Sequence, residues 1–430
     1  MKLFPHQEAA LKRTEGKNHV AFYHDPGMGK TFTGSWKLMQ LDARVNLVVC
    51  QKSKIQDWLD HFDLFRETYW NFNMIYDLTD KNGFEAFMGV VADHGYTQRV
   101  IGVINYELAF RRPDLLQLER FTLMLDESSM IQNEQARRTK FILKMNPLNV
   151  ILLSGTPTAG KYEKLWSQCH LLGWPISKKL YYAQYIVQEY IDVDGSGFKI
   201  PVVKGYKNVD RLKEKLNRYG ADFLKADEVL NLPQMNDVPI RVPTIPAYTK
   251  FRKKRAVTVG GTQLIGDTTL TMRLYMRMLC GHFNHRKLEA FEDLLESTDD
   301  RLIVFYNFNA ELEALRNICK IKNRPVSVIN GPEKDLTEYQ RADDSVTLIQ
   351  YQAGAMGLNL QKANKVVYFT LPERSELFEQ SKKRIHRIGQ ERPCFYFYLM
   401  CKGSIEDRIL ATLKMRKDYT DELFRKDIEL

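Results

Sequence analysis

The sequence lacks the features that mark secreted, zinc-binding and membrane-spanning proteins. It has 6 cysteines in 430 residues and no CxxC spacing, so neither a zinc site nor a disulfide framework is indicated. No stretch approaches the roughly 20 apolar residues of a membrane span. The N-terminus has no apolar run typical of a signal peptide. We therefore expect a soluble intracellular protein with no membrane partner.

Positive charge is in excess. Lys and Arg total 63 against 53 Asp and Glu, which gives a formal net charge of +10. This balance favours a polyanionic partner such as nucleic acid. Hydrophobic residues make up 44% of the chain, as expected for a protein with a full core. At about 100–200 residues per domain, the length predicts two or three domains.

Short apolar segments alternate with helical patterns in two separate blocks. The first block contains segments 19–24, 45–50, 100–106, 121–127 and 150–155, and the second contains 301–307, 325–330, 346–351, 365–370 and 394–400. Such alternation is typical of βαβ units and a parallel sheet. The intervening residues, roughly 160–300, are charged and have a helical pattern. We predict an α/β fold with two parallel-sheet lobes in tandem and a helical insertion between them.

The segment "HDPGMGKT", which begins at His24, follows the first apolar segment and precedes a helical pattern. Strand, glycine loop, Lys-Thr and helix is the order of a phosphate-binding loop. Gly27 and Gly29 would permit the tight turn, Lys30 would reach the β- and γ-phosphates, and Thr31 would bind Mg²⁺. His24 departs from the pattern, which has glycine at its first position. The alternative is a glycine-rich turn without a ligand.

A pair of acidic residues ends another apolar segment, "LMLDES" at 123–128. The carboxyl ends of parallel strands meet at the edge where open α/β sheets bind ligands, so this pair is expected near the glycine loop. Asp126 would hold Mg²⁺, and Glu127 would polarise the attacking water. An Asp-Glu pair at a strand end can also be an ordinary capping or solvent-exposed pair.

These motifs, in this order, resemble those of the superfamily-two helicases and translocases, and specifically the Snf-type, chromatin-remodeller-like branch. The resemblance extends over nearly the whole chain. It includes "LFPHQ" at 3–7, "VVCQKSKIQDWLDHF" at 48–62, "DESSMIQN" at 126–133 and "LLSGTPTAGKYEKLW" at 152–166. Ser128 and Ser129 stand where the branch has Ala-His. The resemblance implies two RecA-like lobes.

The second half carries the remaining motifs. "YQAGAMGLNLQKANKVVYF" at 351–369 resembles the segment that contacts DNA and nucleotide, and "EQSKKRIHRIGQERP" at 379–393 matches the last motif. The resemblance implies that Arg387 is an arginine finger, that Arg384 is its companion and that Gln390 closes the ATP site. A helix would point both arginines the same way, because they are three residues apart. The alternative is a basic helical stripe that binds the phosphate backbone.

The resemblance also implies the remaining site residues, and every motor contact with DNA would be made to the backbone, independent of base sequence. The residues implied to hold ATP are Gln7, which would read adenine, Pro26, Gly27, Met28, Gly29, Lys30, Thr31, Gly357, Asn359 and Gln390. The candidate DNA contacts are Lys52, Lys54, Trp58, Ser154, Thr156, Gly354, Ala355 and Met356.

The predicted domains are a first RecA-like lobe at 1–234, with a helical insertion from about 160, and a second lobe at 235–430. The second lobe would include a helical insertion at about 245–298 and a C-terminal helix. The resemblance implies a monomeric, ATP- and Mg²⁺-dependent ATPase that translocates on duplex or branched DNA. We expect a phage or bacterial protein of the host cytoplasm or nucleoid, acting in replication, recombination or repair, with proteins of those pathways as candidate partners.

Two alternatives remain open. The first is a helicase that separates strands or remodels forks, for which the "GGTQLIGD" segment at 260–267 is a candidate wedge tip. The second is a catalytically inactive, ATP-gated DNA-binding module. The presence of Lys30, Asp126, Glu127 and both arginines argues against the inactive module.

Overall fold

The computed structural model describes residues 2–69, 72–93, 95, 97–158, 161–192, 199–229, 232–354 and 358–415. The chain divides into two compact units, Met1–Val229 and Leu230–Leu430. In the described ranges, no helix is both long enough and apolar enough to cross a membrane.

The first unit contains a seven-stranded sheet in the order β3-β4-β2-β5-β6-β1-β9, with every pairing parallel. Its strands are β1 (His19–His24), β2 (Val45–Cys50), β3 (Phe72–Asp77), β4 (Arg99–Asn105), β5 (Thr122–Asp126), β6 (Asn149–Ser154) and β9 (Ala221–Leu224); β7 (Ile186–Asp192) and β8 (Lys199–Tyr206) form a separate antiparallel hairpin. Its helices are α1 (Pro5–Arg13), α2 (Lys30–Leu41), α3 (Ile55–Tyr69), α4 (Lys81–Ala92), α5 (Tyr106–Ala109), α6 (Arg137–Ile142), α7 (Trp166–Leu171), α8 (Lys178–Tyr185), α9 (Val209–Arg218) and α10 (Ala226–Val229).

The second unit contains a six-stranded parallel sheet in the order β10-β17-β16-β13-β15-β14. Its strands are β10 (Met235–Val242), β13 (Leu302–Tyr306), β14 (Val326–Ile329), β15 (Val346–Gln350), β16 (Lys365–Tyr368) and β17 (Cys394–Cys401); β11 (Ala256–Val259) and β12 (Thr262–Ile265) form an antiparallel hairpin. Its helices are α11 (Pro246–Lys254), α12 (Thr269–Cys280), α13 (His285–Glu296), α14 (Asn309–Ile321), α15 (Thr337–Arg341), α16 (Tyr351–Gly354), α17 (Ser375–Lys382) and α18 (Ile405–Lys414).

The ten apolar segments of the sequence all become strands of these two sheets. They read as continuous apolar runs because helices cover a parallel sheet on both faces. β2 shows the result, since every residue from Val45 to Cys50 is buried. The predicted fold class, two parallel-sheet α/β lobes, is confirmed.

The helical character expected for roughly 160–300 is wrong in part. Six strands lie in that span. β9 is an edge strand of the first sheet, β10 is an edge strand of the second sheet, and the other four strands form the two hairpins. An edge strand or hairpin buries only one face, so charged and polar residues interrupt its apolar residues. These strands therefore lack the continuous apolar runs that identified the other strands. β10 illustrates this pattern, with exposed and half-buried residues alternating along Met235–Val242.

Candidate functional site

The glycine loop lies at the carboxyl end of β1, where α2 begins at Lys30. Gly29 has a φ of 72°, and a Cβ atom there would lie 2.3 Å from Nε2 of Gln7, so only glycine fits. The Nζ of Lys30 donates to the carbonyl oxygens of His24 at 2.9 Å and Asp25 at 3.2 Å. The lysine is thus folded back over the loop that would receive a phosphate.

His24, in the place of the first glycine, belongs to a polar chain that is buried except at Arg13. Its Nε2 lies 2.8 Å from Oδ2 of Asp222 on β9, and NH2 of Arg13 donates to the same oxygen at 2.9 Å. Burial lowers the pKa of His24, so the ring favours its neutral form. Burial alone would raise the pKa of Asp222, but the hydrogen bonds from His24 and Arg13 lower it overall. The histidine that replaces the first glycine of the loop pattern therefore has a structural role, since it is hydrogen-bonded to Asp222.

Asp126 ends β5, and its carboxylate is held from one side. Nε1 of Trp58 donates to Oδ2 at 2.9 Å, and the hydroxyl of Tyr106 donates to the backbone oxygen of Asp126 at 2.9 Å. Burial raises the pKa of Asp126, while the Trp58 bond and the charges of Lys30 and Lys54 oppose that rise. The charge of Lys30 thus acts on Asp126 from the glycine loop.

Glu127 adopts a left-handed backbone conformation, with φ 52° and ψ 61°. A non-glycine residue there carries strain, which is often found at functional sites. Its Oε1 accepts two hydrogen bonds of 2.8 Å, from the hydroxyls of Ser129 and Ser154. Ser154 can reach it because β6 lies between β1 and β5 in the sheet. Two strand ends therefore orient one carboxylate.

The residues predicted to bind Mg²⁺ fit a hard cation. Asp126 supplies a carboxylate and Thr31 a hydroxyl, which are oxygen ligands of the kind Mg²⁺ prefers. Among the described residues, no hydrogen bond reaches Oδ1 of Asp126, whereas Oδ2 is occupied by Trp58. A cation at this carboxylate would also favour its charged form against the burial that raises its pKa.

Gln7 is placed differently from an adenine-reading residue. It is 2% exposed, its Nε2 donates to the carbonyl oxygens of Met28 and Gly29, and its Oε1 accepts from the backbone of Phe4. All three contacts lie within the protein, so Gln7 fastens α1 to the glycine loop here. The adenine-reading role of Gln7 conflicts with this placement.

Several candidate DNA contacts have their side-chain polar atoms or rings buried within the first unit. Trp58 is 2% exposed, and Ser154 is fully buried with its hydroxyl on Glu127. Thr156 has a buried hydroxyl with no hydrogen-bond partner in the described part of the chain. These placements conflict with direct contact to a DNA strand. Lys52 is exposed and Lys54 pairs with Asp57, both in a 3₁₀ helix directly after β2, so the two lysines stay candidates.

The helix expected across the two arginines is not observed. α17 ends at Lys382, and residues 383–389 form turns and bends. Arg384 is 7% exposed, and NH1 of Arg387 donates to the oxygen of Leu358 at 3.3 Å. Burial lowers the pKa of Arg387. Gly389, two residues after Arg387, has a φ of 92°, a conformation that does not extend a helix.

Gln390 lies inside the second unit, with 6% exposure, and its Nε2 donates to the oxygens of Gln361, Ala363 and Ile385. The predicted role of Gln390 in closing the ATP site conflicts with this placement, because these carbonyl oxygens already take up the hydrogen bonds of its amide nitrogen. Among the motif residues before it, Asn359 is exposed and Gly354 ends α16. The predicted residues Ala355, Met356 and Gly357 lie outside the described residues.

Sequence reasoning missed four residues that shape this site. These are Arg13 and Asp222, which support His24, Tyr106, which binds the backbone of Asp126, and Gln168 on α7. Asp222 lies almost 200 residues from His24, so no local pattern could link them. For Gln168 the one signal is a polar residue inside an apolar helical segment, "LWSQCHLL".

Comparison with known proteins places these features in a family. The model of the SNF2-related domain matches residues 9–286, and the helicase conserved C-terminal domain matches residues 286–389. The chain belongs to the SNF2-related family. The matched residues include the glycine loop, the acidic pair and both arginines, so the predicted family is confirmed.

Similar proteins come from several organisms. The Saccharomyces cerevisiae ISWI chromatin-remodeling complex ATPase ISW1 is 22% identical, over 94% of this chain and 39% of that protein. The Bacillus subtilis putative ATP-dependent helicase/translocase YwqA is 23% identical, over 71% of this chain and 36% of that protein. The chain therefore spans about two fifths of the length of these relatives. The Sulfolobus solfataricus SWI2/SNF2 ATPase core in complex with dsDNA is similar at a TM-score of 0.44 and 19% identity, over 100% of this chain and 95% of that chain.

Proposed function

We propose that this protein is a DNA-dependent ATPase that uses ATP hydrolysis to translocate along double-stranded DNA. The observation that carries the proposal is the hydrolytic arrangement at the carboxyl edge of the first sheet. There the charge of Lys30 opposes the rise in the pKa of Asp126 that burial causes. The hydroxyls of Ser129 and Ser154, from two segments, orient Glu127. Membership of the SNF2-related family supports the same activity.

Each group at this edge would have a separate task. Lys30 would leave the carbonyl oxygens it now binds and pair with the β- and γ-phosphates, where its charge matters most. Thr31 and Asp126 would hold Mg²⁺, which neutralises charge on the phosphates when bound. Glu127 would orient the attacking water and accept its proton. The bonds from Ser129 and Ser154 would keep Glu127 aimed without neutralising it.

The arginines of the second unit would supply charge to the transition state. Arg387 would act as the arginine finger and Arg384 as its companion, as the family resemblance implies. A guanidinium that is half buried loses water, and its interaction with an anion is correspondingly stronger. Such a finger contributes about 10³–10⁵ in rate.

DNA would be bound through its backbone. The net charge of +10 and the exposed Lys52 favour phosphate contacts without base readout. The similar proteins include a chromatin-remodeling complex ATPase and a putative bacterial ATP-dependent helicase/translocase, and a similar structure is an ATPase core in complex with dsDNA. We propose duplex DNA as the track. The finer proposal is a role in phage or bacterial replication, recombination or repair; one of the similar proteins is bacterial.

One observation favours a second candidate function, a helicase that opens forks. β11 and β12 form a hairpin with the two-residue turn Gly260-Gly261, and Ile265 on β12 is 52% exposed. Val257 and Leu264 pack one face of the hairpin on the core of the second unit, and the other face is exposed. An exposed face with an apolar side chain is a feature that a wedge requires. The hairpin follows α11, whose last turn is basic with Arg252, Lys253 and Lys254. A wedge would act on branched DNA, so the two functions differ in the preferred substrate.

The deciding experiment compares ATP turnover without DNA and with single strands, duplex and forks. It is combined with displacement of a third strand from a triplex. We expect the strongest stimulation by duplex, ATP-dependent triplex displacement and little unwinding of a plain fork. Lys30→Ala should abolish turnover on every DNA, whereas Lys81→Ala, at an exposed ion pair with Glu85, should not. Stimulation mainly by single strands with efficient fork unwinding would replace the translocase with the helicase.

A further inference from the structure

One fully buried side chain, Gln168 on α7, contacts three segments that surround the ATP site. Its Oε1 accepts hydrogen bonds from the hydroxyls of Tyr23 at 3.0 Å and Ser128 at 2.8 Å. Its Nε2 donates to the oxygen of Pro157 at 3.1 Å. Tyr23 precedes the glycine loop, Ser128 follows the acidic pair, and Pro157 belongs to the loop after β6.

The orientation of this amide is determined by its partners. The oxygen of Pro157 is a carbonyl, which accepts but never donates, so Nε2 must face it. Oε1 then faces two hydroxyls, each of which can donate. Both ends of the amide are therefore satisfied, as a fully buried polar group requires. A displacement of any one segment must carry Gln168 with it or break a buried hydrogen bond, which is costly.

Two neighbouring contacts strengthen the connection. Ser167 on α7 donates to the oxygen of Ile131 at 2.7 Å, at the end of the 3₁₀ helix Ser128–Ile131. A Cβ atom on Gly155 would lie 2.8 Å from Cδ of Pro26, so the loop after β6 packs directly on the glycine loop. The first contact joins α7 to the segment after the acidic pair, and the second joins the loop after β6 to the glycine loop.

The segment directly after the acidic pair reaches the loop after β6 through Gln168. Ser129, which stands where related motifs have histidine, donates to Glu127 itself rather than to the loop after β6. Ser128 instead reaches that loop through Gln168. We propose that Gln168 is a positioning residue that couples the acidic pair to the Ser-Gly-Thr-Pro loop at 154–157, so that the two shift together when ATP binds.

This inference rests on the proposed ATPase function, and Gln168→Glu tests it. The carboxylate keeps the shape and the acceptors for Tyr23 and Ser128 but loses the donor to Pro157. The control is Gln135→Glu, which makes the same chemical change at an exposed position. Gln132 is not suitable, because its Nε2 also donates to the oxygen of Pro157, at 3.2 Å, and so links the same two segments. Thermal unfolding of both variants checks folding, and Ser128→Ala supplies a milder second break.

The first readout is amide hydrogen exchange with and without Mg-ATPγS. In the wild type and Gln135→Glu, nucleotide should slow exchange in both 126–132 and 152–158. In Gln168→Glu, protection should persist in 126–132 and fall by about tenfold in 152–158, with the same pattern in Ser128→Ala. The second readout is turnover: the ratio of DNA-stimulated to DNA-free rates should fall about tenfold, with the KM for ATP within about threefold.

The possible outcomes separate the two proposals. Linked protection of both segments in Gln168→Glu would overturn the coupling role. A wild type with nucleotide protection but no DNA stimulation would reject the motor, while the exchange data would still decide the coupling. A wild type without nucleotide protection in 126–132 would reject the ATP site and the coupling with it.

Discussion

Nε1 of Trp58 donates a hydrogen bond to Oδ2 of Asp126 at 2.9 Å. Trp58 lies on α3 and is stacked on Phe62, with ring centroids 5.4 Å apart, so the indole is fixed in the core. The bond favours the charged carboxylate, against the burial that raises the pKa of Asp126. Trp58, which the sequence predicted to contact DNA, therefore stabilises the charged form of the proposed Mg²⁺ ligand.

Trp58→Phe should weaken Mg²⁺ binding while the core stays filled. Without the indole donor, the pKa of Asp126 should rise further, and the Mg²⁺ concentration for half-maximal turnover should rise about tenfold. Titration of Mg²⁺ at saturating ATP measures this. Trp166→Phe is the matched control, since Nε1 of Trp166 donates to the oxygen of Ile176, away from the carboxylates. An unchanged Mg²⁺ requirement in Trp58→Phe would contradict the positioning role.

Glu127→Gln should trap the ATP-bound state. The amide keeps the shape of the side chain but cannot accept the proton of the attacking water, so turnover should fall at least a hundredfold. ATP should still bind, and DNA binding in ATP should be tighter than in the wild type. Nucleotide affinity and single-turnover hydrolysis measure these effects, with Glu107→Gln as the control on α5. Loss of ATP binding would indicate a structural or metal-binding role for Glu127.

Arg387→Ala should slow hydrolysis without removing ATP. We expect ATP affinity within several-fold of the wild type and DNA-stimulated turnover lower by about 10³. Arg392→Ala provides a comparison, because Arg392 forms an exposed ion pair with Asp300. The phosphate-backbone alternative predicts the reverse result for Arg387→Ala: weaker DNA binding with full maximal turnover.

The stability of the first unit should depend on His61. Burial lowers the pKa of His61 to about 4, and Nε2 lies 2.9 Å from the hydroxyl of Ser35. In the unfolded chain the ring titrates near its ordinary pKa of about 6.5. Its contribution is therefore present above pH 6.5 and is lost as the pH falls towards 4, because the unfolded state binds the proton first.

His61→Gln should reduce this acid sensitivity, since the amide has no proton to gain in this range. The loss of unfolding free energy between pH 7 and pH 4 should be smaller by roughly 2 kcal/mol. Urea unfolding followed by tryptophan fluorescence measures it. His170→Gln, at an exposed position on α7, is the control for the substitution itself. Parallel pH curves for the wild type and His61→Gln would show that His61 does not titrate as proposed.

Local patterns were sufficient for ten of the thirteen strands of the two sheets, and for placing the glycine loop and the acidic pair at strand ends. Continuous apolar runs predict buried parallel strands because both faces of such a strand are covered. Glycine spacing before Lys30 predicts a loop, since few other residues tolerate the backbone of Gly29. Asp126 at a strand end predicts a carboxylate at the ligand-binding edge. Each of these inferences depends on residues that are neighbours in the chain.

The partners of these residues depend on folding. Sheet order places Ser154 between β1 and β5, and packing of α3 and α7 brings Trp58 and Gln168 to the same edge. Likewise, the motif around Arg384 reads as a helix, but the chain turns there to bury the arginine. Such contacts join residues tens to hundreds of positions apart. Buried hydrogen bonds select partners by three-dimensional proximity, which no periodicity or spacing in the sequence encodes.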